Sequence, residues 1–238
     1  MDPGRLISFE GLDGAGKTTQ IELLENWLKR HGISYVRTRE PGGTRLGVEV
    51  RHLLLNRPEL AIVPLAEAFL FQADRAQHFA TVVLPALQNG MLVITDRSLD
   101  ASIAYQGYAR RIGAELIEQL SLLATQGRVP DLTILLDLSP SQVHMRTDVT
   151  SDRNHEVEEE DGVPSQLRLP LFPDVASRDE QNRFDIEVER FHRLVREGFL
   201  KLADSHPDRI KKINASLPKR RIHKEIVKLV EPLLTLPR

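Results

Sequence analysis

Ten residues near the start of the chain, Glu10–Thr19 (EGLDGAGKTT), combine the residue types that hold phosphate. Gly11, Gly16, Lys17 and Thr18 stand at the spacing G-x-x-x-x-G-K-[ST]. Glycines let successive backbone N–H groups turn inward around an anion, and a helix opening at the same point adds the positive end of its dipole. The lysine neutralises β- and γ-phosphate oxygens, while the threonine hydroxyl completes a Mg²⁺ shell. On this reading Gly11, Leu12, Asp13, Gly14, Ala15, Gly16, Lys17, Thr18 and Thr19 surround the phosphates of ATP. By chance the pattern arises in roughly one chain of this length in a hundred, with Gly at about 7%. Two residues inside it need a reason of their own. Asp13 is acidic within an anion-binding loop, and Gly14 stands where a cation would help.

A second candidate lies at the end of GMLVITDR (Gly90–Arg97), a near-continuous apolar run of the kind that forms a strand buried on both faces. Asp96 ends it. With a phosphate loop beside it, Asp96 reads as a second Mg²⁺-directed carboxylate; by itself, an Asp ending a strand is also a common turn or helix cap.

The elements that position these residues alternate short apolar runs with longer helical patterns, the signature of an α/β fold with a parallel sheet covered by helices. Leu6–Glu10 reads as a strand that ends in the glycine loop, and Thr18–Arg30 as an amphipathic helix. Ser34–Arg39 reads as the second strand, closed by the turn EPGGT (Glu40–Thr44). Helical patterns follow at about 45–55 and 65–88, then the Gly90–Arg97 strand, a helix near 114–126 and the strand Asp131–Leu138. SPSQ (Ser139–Gln142) carries Ser at the N-cap, Pro at N1 and Gln at N3, a compact helix start. Phe184, Val188, Phe191, Val195, Phe199 and Leu202 recur every three or four residues, which predicts a packed helix over 184–204. A short strand within 209–216 and a helix over 219–234 end the chain. Thr147–Asp179 breaks the rhythm: it is acidic, holds three prolines and has no sustained period, so it reads as a surface loop or insertion.

Composition narrows the function classes. The 238 residues suit one large α/β domain or two small ones. With 32 basic and 34 acidic residues the net charge is −2, and there are only one Trp and three Tyr, which argues against nucleic acid or anionic lipid as partner. There are no cysteines, hence no disulfides, thiolate metal sites or cysteine nucleophiles, as suits a reducing cytoplasm. The N-terminus lacks the order of a signal peptide, and no apolar run approaches the roughly 18–20 residues that span a bilayer. The expectation is a cytoplasmic protein without nucleic-acid or membrane partners.

FEGLDGAGKTTQ (Phe9–Gln20), REPGGT (Arg39–Thr44), FLFQADRAQH (Phe69–His78), DRSLDASIAYQG (Asp96–Gly107) and PDLTILLDL (Pro130–Leu138) occur in that order. Together they resemble the thymidylate kinases, over nearly the whole chain outside 147–180. The resemblance implies a P-loop NTPase three-layer fold, a five-stranded parallel sheet flanked by helices with a lid segment, in one domain over 1–238. It implies transfer of the ATP γ-phosphoryl group to dTMP, giving dTDP for dTTP synthesis, with Mg²⁺ and in a homodimer. Another nucleoside or deoxynucleoside monophosphate kinase, a deoxynucleoside kinase, or a P-loop switch without an acceptor are the competing readings.

The resemblance also implies roles. Arg97, one residue past the strand-end Asp96, becomes an acceptor-phosphate clamp, and Arg51 a second phosphate contact; either alone would read as a surface ion pair. Phe71 and Arg75, four apart on one helix face, become a stacking surface for thymine and a reader of a base oxygen, although a Phe in a helix is commonly core. Ser102, Tyr105 and Gln106 close over base and sugar from a loop, with Tyr105 crowding a ribose 2′-OH. Asp13 turns to the 3′-hydroxyl of the acceptor sugar. Glu10 and Pro41 join the site, Glu10 through metal-bound water or by positioning Arg97. Some members of the family carry Arg where this chain has Gly14; those with Gly take the catalytic arginine from the lid. Here the lid falls at about 147–183, with an insertion of roughly thirty residues. Arg183 best matches its arginine, with Arg178 and Arg153 as competitors.

Overall fold

A computed structural model of the chain describes residues 4–143, 145 and 178–235, with the side chains of 178–188 and 235 excepted. Five strands, β1 (Leu6–Glu10), β2 (Tyr35–Arg39), β3 (Leu92–Asp96), β4 (Leu132–Asp137) and β5 (Ile210–Asn214), form one sheet in the order β2-β3-β1-β4-β5. Every pairing is parallel, so all strand C-termini meet at one edge, where ligands of open α/β sheets bind. β1 sits in the middle, with Phe9 in register with Asp96 on one side and Ile134 on the other.

The helices are α1 (Lys17–Arg30), α2 (Arg45–Asn56), α3 (Pro64–His78), α4 (Leu84–Gln88), α5 (Leu99–Ser102), α6 (Ala114–Ala124), α7 (Arg178–Ser205) and α8 (Lys219–Thr235). The period-2 alternation of the strands divides them between two layers. Ile7 and Phe9 face α1 and α8, packing with Ile21, Leu24, Leu28, Ile222 and Ile226. The opposite face of the sheet meets α5, α6 and α7 through Leu135, Leu99, Ile117, Val195 and Phe199, and Leu6 and Val93 meet Phe79 and Val83. Each fully buried aliphatic of these clusters contributes about 1.5–3 kcal/mol relative to exposure.

Strand and helix bounds agree with the sequence reading to within a few residues, with two corrections. The pattern over 65–88 is not one α-helix: a π-helical turn at Phe79–Val83 separates α3 from α4. Pro85 lies just past the turn and cannot donate the helical N–H at its position. And the segment of Ser102, Tyr105 and Gln106, read as a loop, is helical: α5 (Leu99–Ser102) runs into a π-helix over Ile103–Ala109. The predicted helix start at Ser139 carries its capping box, since Gln142 N donates to Ser139 Oγ and Gln142 Oε1 accepts from Ser139 N. Of the predicted loop Thr147–Asp179, residues 147–177, with Arg153, lie outside the described residues, and Arg178 and Asp179 already belong to α7.

Candidate active site

The turns leaving β1 and β3 face α2, α3 and the 98–109 segment across a cleft of about 470 Å³. On its first wall, Gly11 passes under β4 so closely that a Cβ there would meet the Leu136 carbonyl oxygen at 2.5 Å, and its φ is 133°; only glycine suits both. Ala15 N donates to Leu12 O (3.1 Å), closing the loop on itself. Lys17 folds back along this turn, donating to Gly11 O (3.3 Å) and Leu12 O (3.1 Å). Of the nine loop positions, Asp13, Gly14, Gly16, Lys17, Thr18 and Thr19 line the cleft. Leu12 and Ala15 point their side chains into the core, so with Gly11 they support the loop from behind.

Past the end of β3 the backbone is held from three sides. Arg97 N donates to Phe9 O (3.0 Å), Thr95 Oγ1 donates to Arg97 O (2.8 Å), and Ser98 N donates to Glu10 Oε1 (2.7 Å). These contacts over-determine a left-handed Arg97 (φ 69°), a conformation that costs about 1–3 kcal/mol. Its guanidinium is thereby aimed back over the phosphate loop. Nη2 donates to Asp13 Oδ1 (2.7 Å) and to the Tyr105 hydroxyl (3.2 Å). Among the described residues, Nε and Nη1 donate to no protein acceptor.

Charge is concentrated here. Asp13 lies 3.5 Å from the Lys17 ammonium as well as against Arg97. Burial would raise its carboxyl, but these two cations outweigh that and hold it well below the usual carboxylate range. Burial also works against the Arg97 charge, yet Asp13, Tyr105, Glu10 and Asp96 more than offset it. Glu10 is fully buried; desolvation and Asp100 push its carboxyl well up, against Arg97, the Ser98 N–H and Lys17. Its Oε1 is engaged by Ser98, which makes it a positioner of the Arg97–Ser98 turn.

Glu10 Oε2 and Asp96 Oδ1 are buried and have no hydrogen-bond partner among the described residues. These two orphaned carboxylate oxygens and the hydroxyl of Thr18, which lines the same cleft as Asp96, are hard donors of the kind Mg²⁺ takes. No group of three or more His, Asp or Glu side chains lies close enough to cage an ion among the described residues. Mg²⁺ normally uses only one or two carboxylates and completes its shell with water and substrate phosphate, so the donor set fits that ion.

The far wall comes from α3. Glu67, Phe71, Arg75 and His78 recur every three or four residues and share one helix face. Phe71 lines the cleft half-buried, so its ring is not a core residue sealed from the site. Arg75 is 1% exposed. Its five N–H groups all donate to protein: Nε to Glu40 Oε2 (2.9 Å), Nη1 to Gln72 Oε1 (2.9 Å) and Ser121 Oγ (3.1 Å), Nη2 to Ser98 O and Ser102 Oγ (3.1 Å each). A base oxygen can reach Arg75 only by sharing one of these donors. Gln106 lines the cleft with its Nε2 on Glu67 Oε1 (2.8 Å), and Tyr105 packs edge-on against Phe191 and Phe199 of α7. Arg51 reaches in from α2, its Nη1 on Pro41 O (3.2 Å) and its Nε buried without a partner among the described residues.

Sequence reasoning missed Glu40 and Glu67. Glu40 anchors both Arg75 and His78 Nδ1 (2.9 Å); burial would raise its carboxyl, but Arg75 and His78 bring it below its ordinary value. Both acids occupy matched motifs or the helix face already singled out, and the four-residue step from Glu67 to Phe71 was the available signal. Arg178 and Arg183 fall on α7, but their side chains lie outside what is described.

The cleft therefore joins a phosphate loop to a second compartment with its own arginines and an aromatic wall. A model of the thymidylate kinase family matches residues 9–169. A thymidylate kinase of Clostridium novyi is 38% identical over 226 residues, covering 95% of this chain and 98% of its own. One from Leifsonia xyli is 44% identical, covering 94% and 93%. The crystal structure of thymidylate kinase from Ehrlichia chaffeensis superposes with a TM-score of 0.69 at 32% identity, over 96% of this chain and 99% of that one. Sequence, fold and the two-compartment cleft agree, and the chain belongs to the thymidylate kinase family.

Proposed function

We propose that the chain transfers the γ-phosphoryl group of ATP to dTMP, giving dTDP, within a single kinase domain. The observation that carries this reading is the continuity of the cleft from Lys17 and Thr18 to Phe71, Arg97 and Gln106. A nucleotide switch needs the first group only.

The acceptor is already a phosphate anion, so the protein needs no general base. It must align two nucleotides and neutralise the charge that spreads over the moving phosphoryl group. Lys17, Gly14, Gly16, Thr18 and Thr19 take the donor phosphates. Thr18 and Asp96, with Glu10 behind them, would hold Mg²⁺, which when bound neutralises β- and γ-oxygens. Arg97 presents its unengaged Nε and Nη1 to the acceptor phosphate, with Arg51 beside it. Asp13, whose Oδ1 aims Arg97, keeps Oδ2 for the sugar 3′-hydroxyl. Phe71 carries the base; Arg75, Ser102 and Gln106 meet its edge; Tyr105 crowds a 2′-hydroxyl. Gly14 brings no charge, so the last cation comes from the lid, and Arg183 supplies it, in the manner of the bacterial members with Gly at that position.

The protein acts in the cytoplasm, without nucleic-acid or membrane partners; the net charge of −2 supports the first exclusion, and no helix of the described residues is long and apolar enough to cross a membrane. It works as a homodimer. Leu65 and Phe69 on α3 and Leu116 and Leu123 on α6 are exposed apolar side chains on two helices that pack together, an area that a second copy would cover. A coupled ADP-release assay with a panel of nucleoside monophosphates tests the reading. Turnover fastest with dTMP supports it, and rates no faster than with UMP, CMP or AMP remove dTMP as the substrate.

A further inference from the structure

We propose that Glu67 is a positioning residue: it fixes which end of the Gln106 amide faces the cleft, and so selects bases that offer an N–H rather than a bare ring nitrogen there. The inference deepens the dTMP reading and rests on it. Glu67 lies in the first turn of α3, buried along the cleft wall. Its Oε1 accepts from Gln106 Nε2 at 2.8 Å. Arg110 holds it from the other side, Nη2 on Oε2 at 2.9 Å and Nε on Oε1 at 3.4 Å. Arg110 is itself braced over the Phe191 ring of α7, 4.9 Å from its centre.

A carboxylate held by a guanidinium only accepts hydrogen bonds, so the amide of Gln106 meets it with its NH₂ end. That leaves Oε1 as the amide atom free for a ligand, and no protein donor reaches it among the described residues. The backbone cannot swing to change this, because Gln106 sits in the π-helix with its carbonyl accepting from Ile112 N (3.2 Å). An acceptor at this place matches the imide N–H of thymine. The ring nitrogen that cytosine carries at that position is itself an acceptor. Turning the amide to suit cytosine would set Gln106 Oε1 against Glu67 Oε1, two acceptors facing each other in a buried site.

The test compares kcat/KM for dTMP and dCMP in the native enzyme, Glu67→Gln, Gln106→Leu and the double variant. Glutamine at 67 keeps the size but lets the partner amide face either way. The dTMP-to-dCMP ratio should fall by about tenfold or more in Glu67→Gln, as expected for one mismatched buried hydrogen bond. The ratio should fall likewise in Gln106→Leu, and Glu67→Gln should add nothing in that background. If Glu67 merely braced the 103–109 segment, both rates would drop together at constant ratio, which overturns the proposal. An equal further fall in the Gln106→Leu background overturns it too. If Glu67→Gln does not fold, Gln106→Leu alone decides: an unchanged ratio is fatal. Native enzyme without dTMP-dependent turnover sinks the functional reading instead, whereas a native dTMP preference that survives every substitution sinks the roles of Glu67 and Gln106 and leaves the reaction standing.

Discussion

Replacing Arg97 with methionine keeps a long unbranched side chain in the same left-handed backbone and removes one charge and two unengaged donor nitrogens, Nε and Nη1. Arg97 Nη2 is already committed to Asp13 and Tyr105, so Nε and Nη1 are what the acceptor phosphate would lose. Each charge-assisted hydrogen bond is worth about 1.5–3 kcal/mol, so the pair accounts for about 3–6 kcal/mol of transition-state binding. That is roughly a 10²- to 10⁴-fold loss in kcat/KM for dTMP. Arg97→Lys restores the charge without the planar fork and should recover only part of it, leaving a deficit of about 10- to 100-fold. The coupled assay at varied dTMP and saturating ATP reads both variants, and KM for ATP should move far less than kcat/KM for dTMP. A drop under tenfold in Arg97→Met, or a full rescue by lysine, would refute the clamp.

Other expectations follow from neighbouring contacts. Arg183→Ala should cut turnover severely while leaving dTMP affinity, by calorimetry, nearly intact; an unimpaired rate moves the role to Arg178 or Arg153. The Asp74 carboxyl accepts from Gly42 N and is pushed up to about 6, first by burial and then by Glu40. A group that binds its proton more tightly when folded stabilises most when protonated, so this contribution declines as pH rises from about 4 to about 6, by up to about 3 kcal/mol. Asp74→Asn should remove that decline, and parallel urea-unfolding profiles of variant and native protein over pH 4–7 would contradict it. Glu40→Gln strips the buried counter-charge from Arg75 and His78; the expected cost is about 3–5 kcal/mol, a Tm lower by roughly 10 °C in thermal unfolding. Phe69→Lys should shift the mass measured by light scattering from dimer to monomer, and an unchanged dimer mass would place the interface elsewhere.

Much of the fold was legible because buried parallel strands and packed helices write themselves as runs and periods. Leu6–Glu10, the phosphate loop and α1 are one continuous local signal, and so is the 184–204 stripe within α7. The 98–109 segment was not legible as helix. What holds it is non-local: Glu10 gripping Ser98 N from 88 residues away, and α7 passing so close that a Cβ at Gly198 would meet the Tyr108 ring at 2.9 Å. The candidate site divides the same way. Lys17 and Asp96 could be named in advance from chemistry and spacing, and Arg97 from the family resemblance. Glu40 and Glu67 act through partners 35 to 43 residues distant, and no local pattern announces such pairs. Arg75 shows the converse: its spacing from Phe71 was visible, but the five acceptors that surround it come from four separate segments.

A single cleft that serves two nucleotides ties every ADP to one phosphorylated acceptor, so product stoichiometry is the decisive measurement. With ATP, Mg²⁺ and dTMP, chromatography should find ADP and dTDP in a one-to-one ratio, with ADP formation falling to a small residue when dTMP is withheld. ADP released equally fast without dTMP, and no dTDP, would contradict the account.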